Sequence, residues 1–311
     1  MSRVQANLLL VVIALIWGSA FVAQSQGMQH LGPMAFTGVR FLIGTLVVAP
    51  LMWMEWRGLQ RKQRQQRQQP PLRPVDGAKI AGLGCLLLLG AAMQQIGIVS
   101  TTVTNAGFLT ALYVPLVPVL GWLLWRHLPH WSVWPAALTC LVGAFLLSGA
   151  ERLEIGAGDL WVICSALPWA FHVVLVGRVA DKMEAPFLVA GGQFFVCGVL
   201  ALAWASLTEP ISWPALQAAF WPLVYTGVMS VGVAFTAQVV AQRYAHAADA
   251  AIILSSETLF AALFGYYLMG DRLGPAGLLG CALIFASMLA VQLIPAMAML
   301  HSSINSRLAK K

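Results

Sequence analysis

Apolar residues along this chain gather into ten runs, at 6–26, 33–54, 78–99, 104–125, 131–150, 159–179, 185–207, 217–240, 248–269 and 274–296. A helix needs roughly 20 mostly apolar residues to cross about 30 Å of hydrocarbon, so each run predicts a membrane span. The first has some character of a signal peptide, with Arg3 ahead of its apolar core and Phe21-Val22-Ala23 near its end. Its length and the nine runs behind it predict a retained helix. The segments between runs are short and leave no room for a soluble catalytic domain. The longest, 55–77, carries Arg61-Lys62-Gln63-Arg64-Gln65-Gln66-Arg67-Gln68-Gln69-Pro70-Pro71. It reads as a flexible, solvated linker, with a headgroup-binding or regulatory role as the alternative.

Composition agrees with lipid as the solvent. The chain is 59% hydrophobic and 9% charged, with a mean hydropathy of +0.79, whereas soluble domains carry about 25% charged residues. An ordinary soluble fold, a disordered chain and a disulfide scaffold are excluded. The net charge of +7 does not point to nucleic acid, because seven of the 18 Lys and Arg residues fall between Arg57 and Lys79. Basic residues instead set orientation. Fifteen lie on the face shared by both termini and alternate loops; only Arg152 and Arg272 lie opposite, and Arg40 is inside a span. Both termini are expected in the cytoplasm, and the bias supports an even number of spans.

The order of short motifs repeats. Pro33-Met34-Ala35-Phe36-Thr37-Gly38-Val39-Arg40-Phe41 matches Pro186-Phe187-Leu188-Val189-Ala190-Gly191-Gly192-Gln193-Phe194 at its proline, glycine and phenylalanine. Ala14-Leu15-Ile16-Trp17 matches Ala166-Leu167-Pro168-Trp169, and Leu120-Gly121-Trp122 sits opposite Phe264-Gly265-Tyr266. The reading is an all-α polytopic protein of two five-span repeats, 6–150 and 159–296. Five is odd, so the second copy enters the membrane from the other side. Such inverted pairs recur in secondary transporters, with the substrate site near the midplane between the copies.

Leu15-Ile16-Trp17-Gly18-Ser19-Ala20-Phe21-Val22 resembles the first-helix signature of the EamA-type branch of the drug/metabolite transporter superfamily. Gly38-Val39-Arg40-Phe41 resembles its second-helix pattern. Ala250-Ala251-Ile252-Ile253-Leu254-Ser255-Ser256-Glu257 with Gly270-Asp271-Arg272-Leu273 resembles its ninth helix and the loop that follows. The resemblance implies a ten-helix inverted-repeat carrier that exports metabolites, amino acids or drugs. Two positions depart from it: Thr258 stands where the family often has proline, and Arg126-His127 where the first repeat usually has Gly-Glu.

Few ionisable groups fall inside spans, where a charge costs about 2.5–3.5 kcal/mol on insertion scales. Glu257, near the middle of the ninth span, has to be protonated, paired or in contact with a wet cavity; it is a candidate proton carrier or an interhelical hydrogen-bonder. Arg40 either snorkels outward, holds an anionic group of the substrate, or pairs with Glu257. His172 reads as a packing residue or a proton relay. Gln24, Gln94, Gln95, Asn105, Gln193 and Gln238 read first as neutral hydrogen-bonders between helices, Gln193 also being the repeat partner of Arg40. Ten of the 12 tryptophans fall at the interfaces as an aromatic belt. Trp17 and Trp169 are at mid-depth and equivalent under the repeat, so they pack the core or bound a substrate cavity. Pro115, Pro118 and Pro168 withhold N–H groups from the carbonyls of Ala111, Val114 and Cys164. Tyr113, just before the first kink, aligns with Glu257.

The five cysteines, Cys85, Cys140, Cys164, Cys197 and Cys281, are far apart and inside apolar runs, so they read as packing residues. Phosphate-loop, dinucleotide and zinc motifs are absent from the sequence, and no cofactor or metal is expected. The resulting expectation is a bacterial inner-membrane carrier of a small organic molecule that works by alternating access, with protons as the candidate coupling ion. The alternatives are an intramembrane enzyme and a sensor or scaffold. Single-cysteine labelling tests the orientation: position 65 should resist an impermeant reagent in intact cells, and its modification would overturn the inward placement of both termini and of the 55–77 segment.

Overall fold

Lipid supplies no hydrogen-bond partners, so a chain this apolar has to satisfy its backbone within its own segments, which helices do. In the computed structural model, which describes residues 1–66, 73–101, 103–126, 128–147, 156–269 and 274–308, every regular element among the described residues is helical. Helices α1 (Arg3–Gly27), α2 (Pro33–Gln66) and α3 (Pro74–Ile98) lead to a pair of half-helices, α4 (Val103–Thr110) and α5 (Tyr113–Trp125). Then come α6 (Val133–Leu147), α7 (Ala157–Met183) and α8 (Pro186–Thr208). The eighth expected run is a composite: α9 (Trp213–Ala218), α10 (Phe220–Tyr225), a π-helical stretch Thr226–Phe235 and α11 (Thr236–Ala241). The ninth again consists of half-helices, α12 (Ala247–Leu254) and α13 (Glu257–Phe264), with a π-helical end Gly265–Met269. Helix α14 (Pro275–Leu308) closes the order. Prolines open α2, α3, α8 and α14, where a missing N–H costs nothing. Ser2 opens α1: its hydroxyl accepts from Gln5 N at 3.2 Å, and Ser2 N donates to Gln5 Oε1 at 2.8 Å.

Two expectations change. Eight helices among the described residues are long and apolar enough to cross a membrane, while Val133–Leu147 and Pro275–Val291, the fifth and tenth of the expected runs, are shorter apolar helices. Fifteen residues rise only about 22 Å; residues 148–150 of the expected fifth run lie outside the described residues. The 55–77 segment is not a uniform linker either, because α2 continues to Gln66. Its Leu, Gln, Arg and Lys residues are good helix formers, so the helix runs on past the apolar stretch. Residues 67–72 lie outside the described residues.

Helices from the first half of the sequence pack mainly on helices from the second: α2 on α8, α3 on α7, α6 on α14, and α1 on α13 and the Thr226–Phe235 stretch. Small residues permit the approach. A Cβ on Gly143 of α6 would stand 2.8 Å from the carbonyl of Gly280 of α14, and one on Gly280 would strike the carbonyl of Gly143. The α2–α8 pair is held at both ends by carboxylates. Glu209, just past the end of α8, accepts from Met34 N at 2.9 Å and Ala35 N at 2.8 Å at the start of α2. Glu55 of α2 accepts from Leu188 N at 2.8 Å at the start of α8. Each helix thus supplies an acceptor for the other's orphan amides, and a negative charge for the positive end of its dipole.

Arg126 marks one departure from the family pattern. It caps α5 at φ 55°, the left-handed region in which glycine carries no steric cost. Its N–H donates to Trp122 O at 2.7 Å and its guanidinium lies 5.6 Å from the Trp122 ring. His127 lies outside the described residues. All five cysteines are free thiols, Cys140 and Cys197 buried and Cys85 and Cys164 exposed, so only part of the set packs the interior.

Gly18 lies where α1 crosses α13. A Cβ there would stand 2.5 Å from Phe260 Cβ, 2.7 Å from Ala261 N and 2.8 Å from Glu257 O. Two of those atoms are backbone and cannot swing aside. Gly18→Ala should destabilise the protein by about 1–3 kcal/mol, read as a lower thermal midpoint in detergent than that of the unaltered chain.

Candidate substrate cavity

The two interrupted spans are built alike. Helices α4 and α12 have the same length, their first residues are Val103 and Ala247, and after two turn residues each resumes, at Tyr113 and at Glu257. Tyr113 and Glu257 therefore occupy the same place, at the head of the second half-helix. The causes of the two breaks differ. Pro115 withholds the N–H that Ala111 O would accept. In the ninth span no proline is present, and hydroxyls turn back on the chain: Ser255 Oγ donates to Ile252 O at 2.7 Å, Ser256 Oγ to Ile253 O at 2.6 Å, and Thr258 Oγ1 to Ser255 O. Such back-bonding competes with the helical ladder. Thr258 thus keeps the interruption although it is not the proline often found in the family.

A cavity of about 50 Å³ lies at the breaks, lined by Trp17, Arg40, Tyr113, Trp169 and Glu257, five of the residues singled out from sequence. It is large enough for a few waters and too small for a metabolite. Tyr113 reaches from α5 to α12, its hydroxyl donating to Ala251 O at 3.2 Å. Trp17 donates from Nε1 to Ser230 O at 3.2 Å. Between the two tryptophans stands Phe235, its ring 4.5 Å from Trp17 and stacked at 16° and 5.9 Å on Trp169. The rings of Phe41 and Phe194 complete the cluster around it. Gly90 of α3 admits the other face of Trp169: a Cβ there would stand 2.9 Å from Trp169 Cδ2.

The charged residues do not behave as a pair. Arg40 does not snorkel outward; only 3% exposed, it donates from Nη1 to Gln24 Oε1 at 2.7 Å and lies 5.7 and 5.2 Å from the rings of Phe36 and Phe41. Its Nε finds no partner among the described residues. Glu257, 6% exposed, forms no side-chain hydrogen bond or ion pair with a described residue, and the expected Arg40–Glu257 pair is not made. The Gln24 amide occupies Arg40, and the hydroxyls beside Glu257 are spent on carbonyls. One cation and one carboxyl thus face the same small space.

Gln193 and His172 fall elsewhere. Both are fully buried and bonded to each other, His172 Nε2 to Gln193 Oε1 at 2.8 Å, in a layer behind Trp169. The imidazole meets the Trp169 ring edge-on at 6.0 Å and does not line the cavity, which counts against a proton relay there. Gln24, Gln94 and Gln238 do line it; Gln94 Nε2 donates to Thr110 Oγ1 at 2.8 Å. Phe235 and Ser230 also line it, and neither was singled out from sequence. They lie five apart in the π-helical stretch, whose i→i+5 ladder stacks such residues on one side. Periods of 3.6 do not reveal that alignment.

A second space of about 570 Å³ opens between the ends of α1, α5, α7 and α12 on the face that carries the N-terminus, and Val173 borders both cavities. Arg3, Trp125, Arg178, Gln242 and Asp249 contribute to its wall. Arg178 stacks 3.6 Å from the Trp125 ring, and Arg3 pairs with Asp249.

Helices of membrane-spanning length around a polar and aromatic chamber, with a vestibule on one side, define a multi-pass membrane transport protein. The family model of the EamA-like transporter family matches residues 4–149 and again 156–293, and the chain belongs to that family. It is 30% identical to an uncharacterized transporter of Archaeoglobus fulgidus over 94% of this chain and 87% of that one. It is 22% identical to an S-adenosylmethionine/S-adenosylhomocysteine transporter of Chlamydia trachomatis over 90% and 89% of the two chains. A crystal structure of a protein 21% identical matches with a TM-score of 0.73 over 94% of this chain and 98% of its own, a likeness of fold.

The ring cluster generates a test. Trp17→Ala and Trp169→Ala should each insert at the level of the unaltered protein yet weaken substrate binding about three- to tenfold, the worth of an aromatic pair; Trp→Phe should lose less, since a ring face survives. Unchanged affinity in both alanine variants would show that the rings only pack the core.

Proposed function

We propose that the protein is a secondary-active carrier of a small organic metabolite, made of two inverted repeats spanning 6–150 and 159–296, with ten membrane spans. It works by alternating access, serves export, and lies in the bacterial inner membrane with both termini in the cytoplasm. The observation that carries this reading is the chamber itself. It sits where two equally interrupted spans meet, and Tyr113 and Glu257 head its half-helices from opposite halves of the chain. The double match of the family model and the mutual caps of α2 and α8 also support the duplication. Discontinuous helices at a repeat interface are where such carriers hold substrate.

In this reading Trp17, Trp169 and Phe235 grip the apolar part of the substrate. Arg40 receives an anionic group, Tyr113 supplies a hydroxyl, and Glu257 exchanges a proton as its contact with water changes. Gln193 holds His172, and His172 holds the Trp169 ring. S-adenosylmethionine is the first probe, because a relative is named for carrying it and a sulfonium group suits aromatic faces. Labelled S-adenosylmethionine and a panel of amino acids would be offered to proteoliposomes in counterflow. Accelerated exchange of chemically unchanged label supports the carrier, while altered label would indicate an enzyme.

Glu257→Gln keeps size and most hydrogen-bonding capacity but cannot titrate. It should permit exchange at equal concentrations on both sides and lose accumulation driven by a pH gradient. Full pH-driven uptake by Glu257→Gln in vesicles would make Glu257 a structural residue.

A further inference from the structure

Two polar contacts near the membrane faces remain outside the chamber. On the N-terminal face, Arg3 at the start of α1 pairs with Asp249 in the first turn of α12. Asp249 is largely buried, its side chain only 5% exposed. Near the other ends of the spans, Thr101, in the turn before α4, donates its hydroxyl to Asp159 in the first turn of α7. Asp159 is also largely buried, and its second oxygen accepts from Gly156 N at 3.0 Å.

The helices these contacts join correspond under the repeat, although the residues that make them do not align one to one. Helix α1 matches α7 through the motif pair at Trp17 and Trp169, and α4 matches α12 through the equal breaks. A contact between the starts of α1 and α12 on one face therefore becomes a contact between the starts of α7 and α4 on the other. Each joins the first half of the chain to the second. Both are formed here, and the chamber between them measures about 50 Å³. The vestibule on the N-terminal face has Arg3 and Asp249 in its wall.

We propose that Arg3–Asp249 and Thr101–Asp159 are the two latches of the carrier, opened in turn, and that the structure shows the form in which both are shut. This rests on the alternating-access reading. When the first opens, α1 and α12 part and the vestibule joins the chamber. When the second opens, α4 and α7 part on the opposite face. Both contacts involve a largely buried carboxylate, and a hydrogen bond to a charged group is worth more than one between neutral groups. Loss of either should therefore shift the distribution between states measurably while leaving the helices intact.

The test needs no substrate. Ser230→Cys places a thiol on the chamber wall in a protein whose five native cysteines are replaced by alanine. An impermeant methanethiosulfonate is applied to sealed vesicles of each orientation. Asp249→Asn should speed modification of that thiol from the N-terminal face by about tenfold, the factor expected for one hydrogen bond to a charged group, and leave the other face slow. Asp159→Asn should do the reverse. Thr101→Val, which removes only the hydroxyl, should act like Asp159→Asn and guards against misfolding of that variant. The exchanged pair Arg3→Asp with Asp249→Arg should return labelling to the slow rate. Equal acceleration from both faces, or none in any variant, would overturn the latch assignment. Counterflow with S-adenosylmethionine and amino acids judges the carrier reading separately, so the two can fail independently.

Discussion

Everything distinctive in this molecule follows from the absence of hydrogen-bond partners in hydrocarbon. A helix may be interrupted there only if protein or enclosed water meets the freed groups. The interruptions accordingly meet one another at the centre. The Tyr113 hydroxyl takes the carbonyl of Ala251, the Trp17 indole takes that of Ser230, and Ser255, Ser256 and Thr258 occupy their own neighbours' carbonyls. Part of the polar interior is thus the set of places where the backbone leaves the α-helical ladder and side chains answer it.

The same constraint governs the charges. Arg40 and Glu257 border one chamber without joining, because Gln24 intervenes for the cation and no donor among the described residues turns to the carboxyl. A direct ion pair would satisfy both groups and leave little for a ligand to do. Kept apart, they retain interactions that a polar ligand or a proton can supply, and their cost inside the membrane favours occupancy. Phe235 stacks on Trp169 and lies close against Trp17, so under the proposed alternating access, opening would have to move a ring as well as a helix.

Much of this was legible in the sequence, for identifiable reasons. Length and hydropathy report spans because lipid admits few alternatives, and mid-depth position set Trp17, Trp169 and Glu257 apart from the interfacial belt. Charge inside a span set Arg40 apart, and shared order in the two halves brought Tyr113 into consideration. Gln193 bonds His172 across two helices, in keeping with its first reading as an interhelical hydrogen-bonder, while its register match to Arg40 does not bring it to the chamber wall; the halves align in backbone order, and their side chains diverge. Phe235 carried no signal, since its place depends on a π-helical stretch that hydrophobic periodicity does not reveal. Residues 55–66 looked like linker because low complexity was weighed above their helix propensity, and α2 continues through them.

The caps at the ends of α2 and α8 carry a further consequence. Neither helix completes its own first turn: Met34 and Ala35 rely on Glu209, and Leu188 on Glu55. Separating the halves would orphan amides in both pieces and two carboxylates with them. The halves are therefore not modules that happen to lie together. Each is chemically unfinished without its counterpart packed against it.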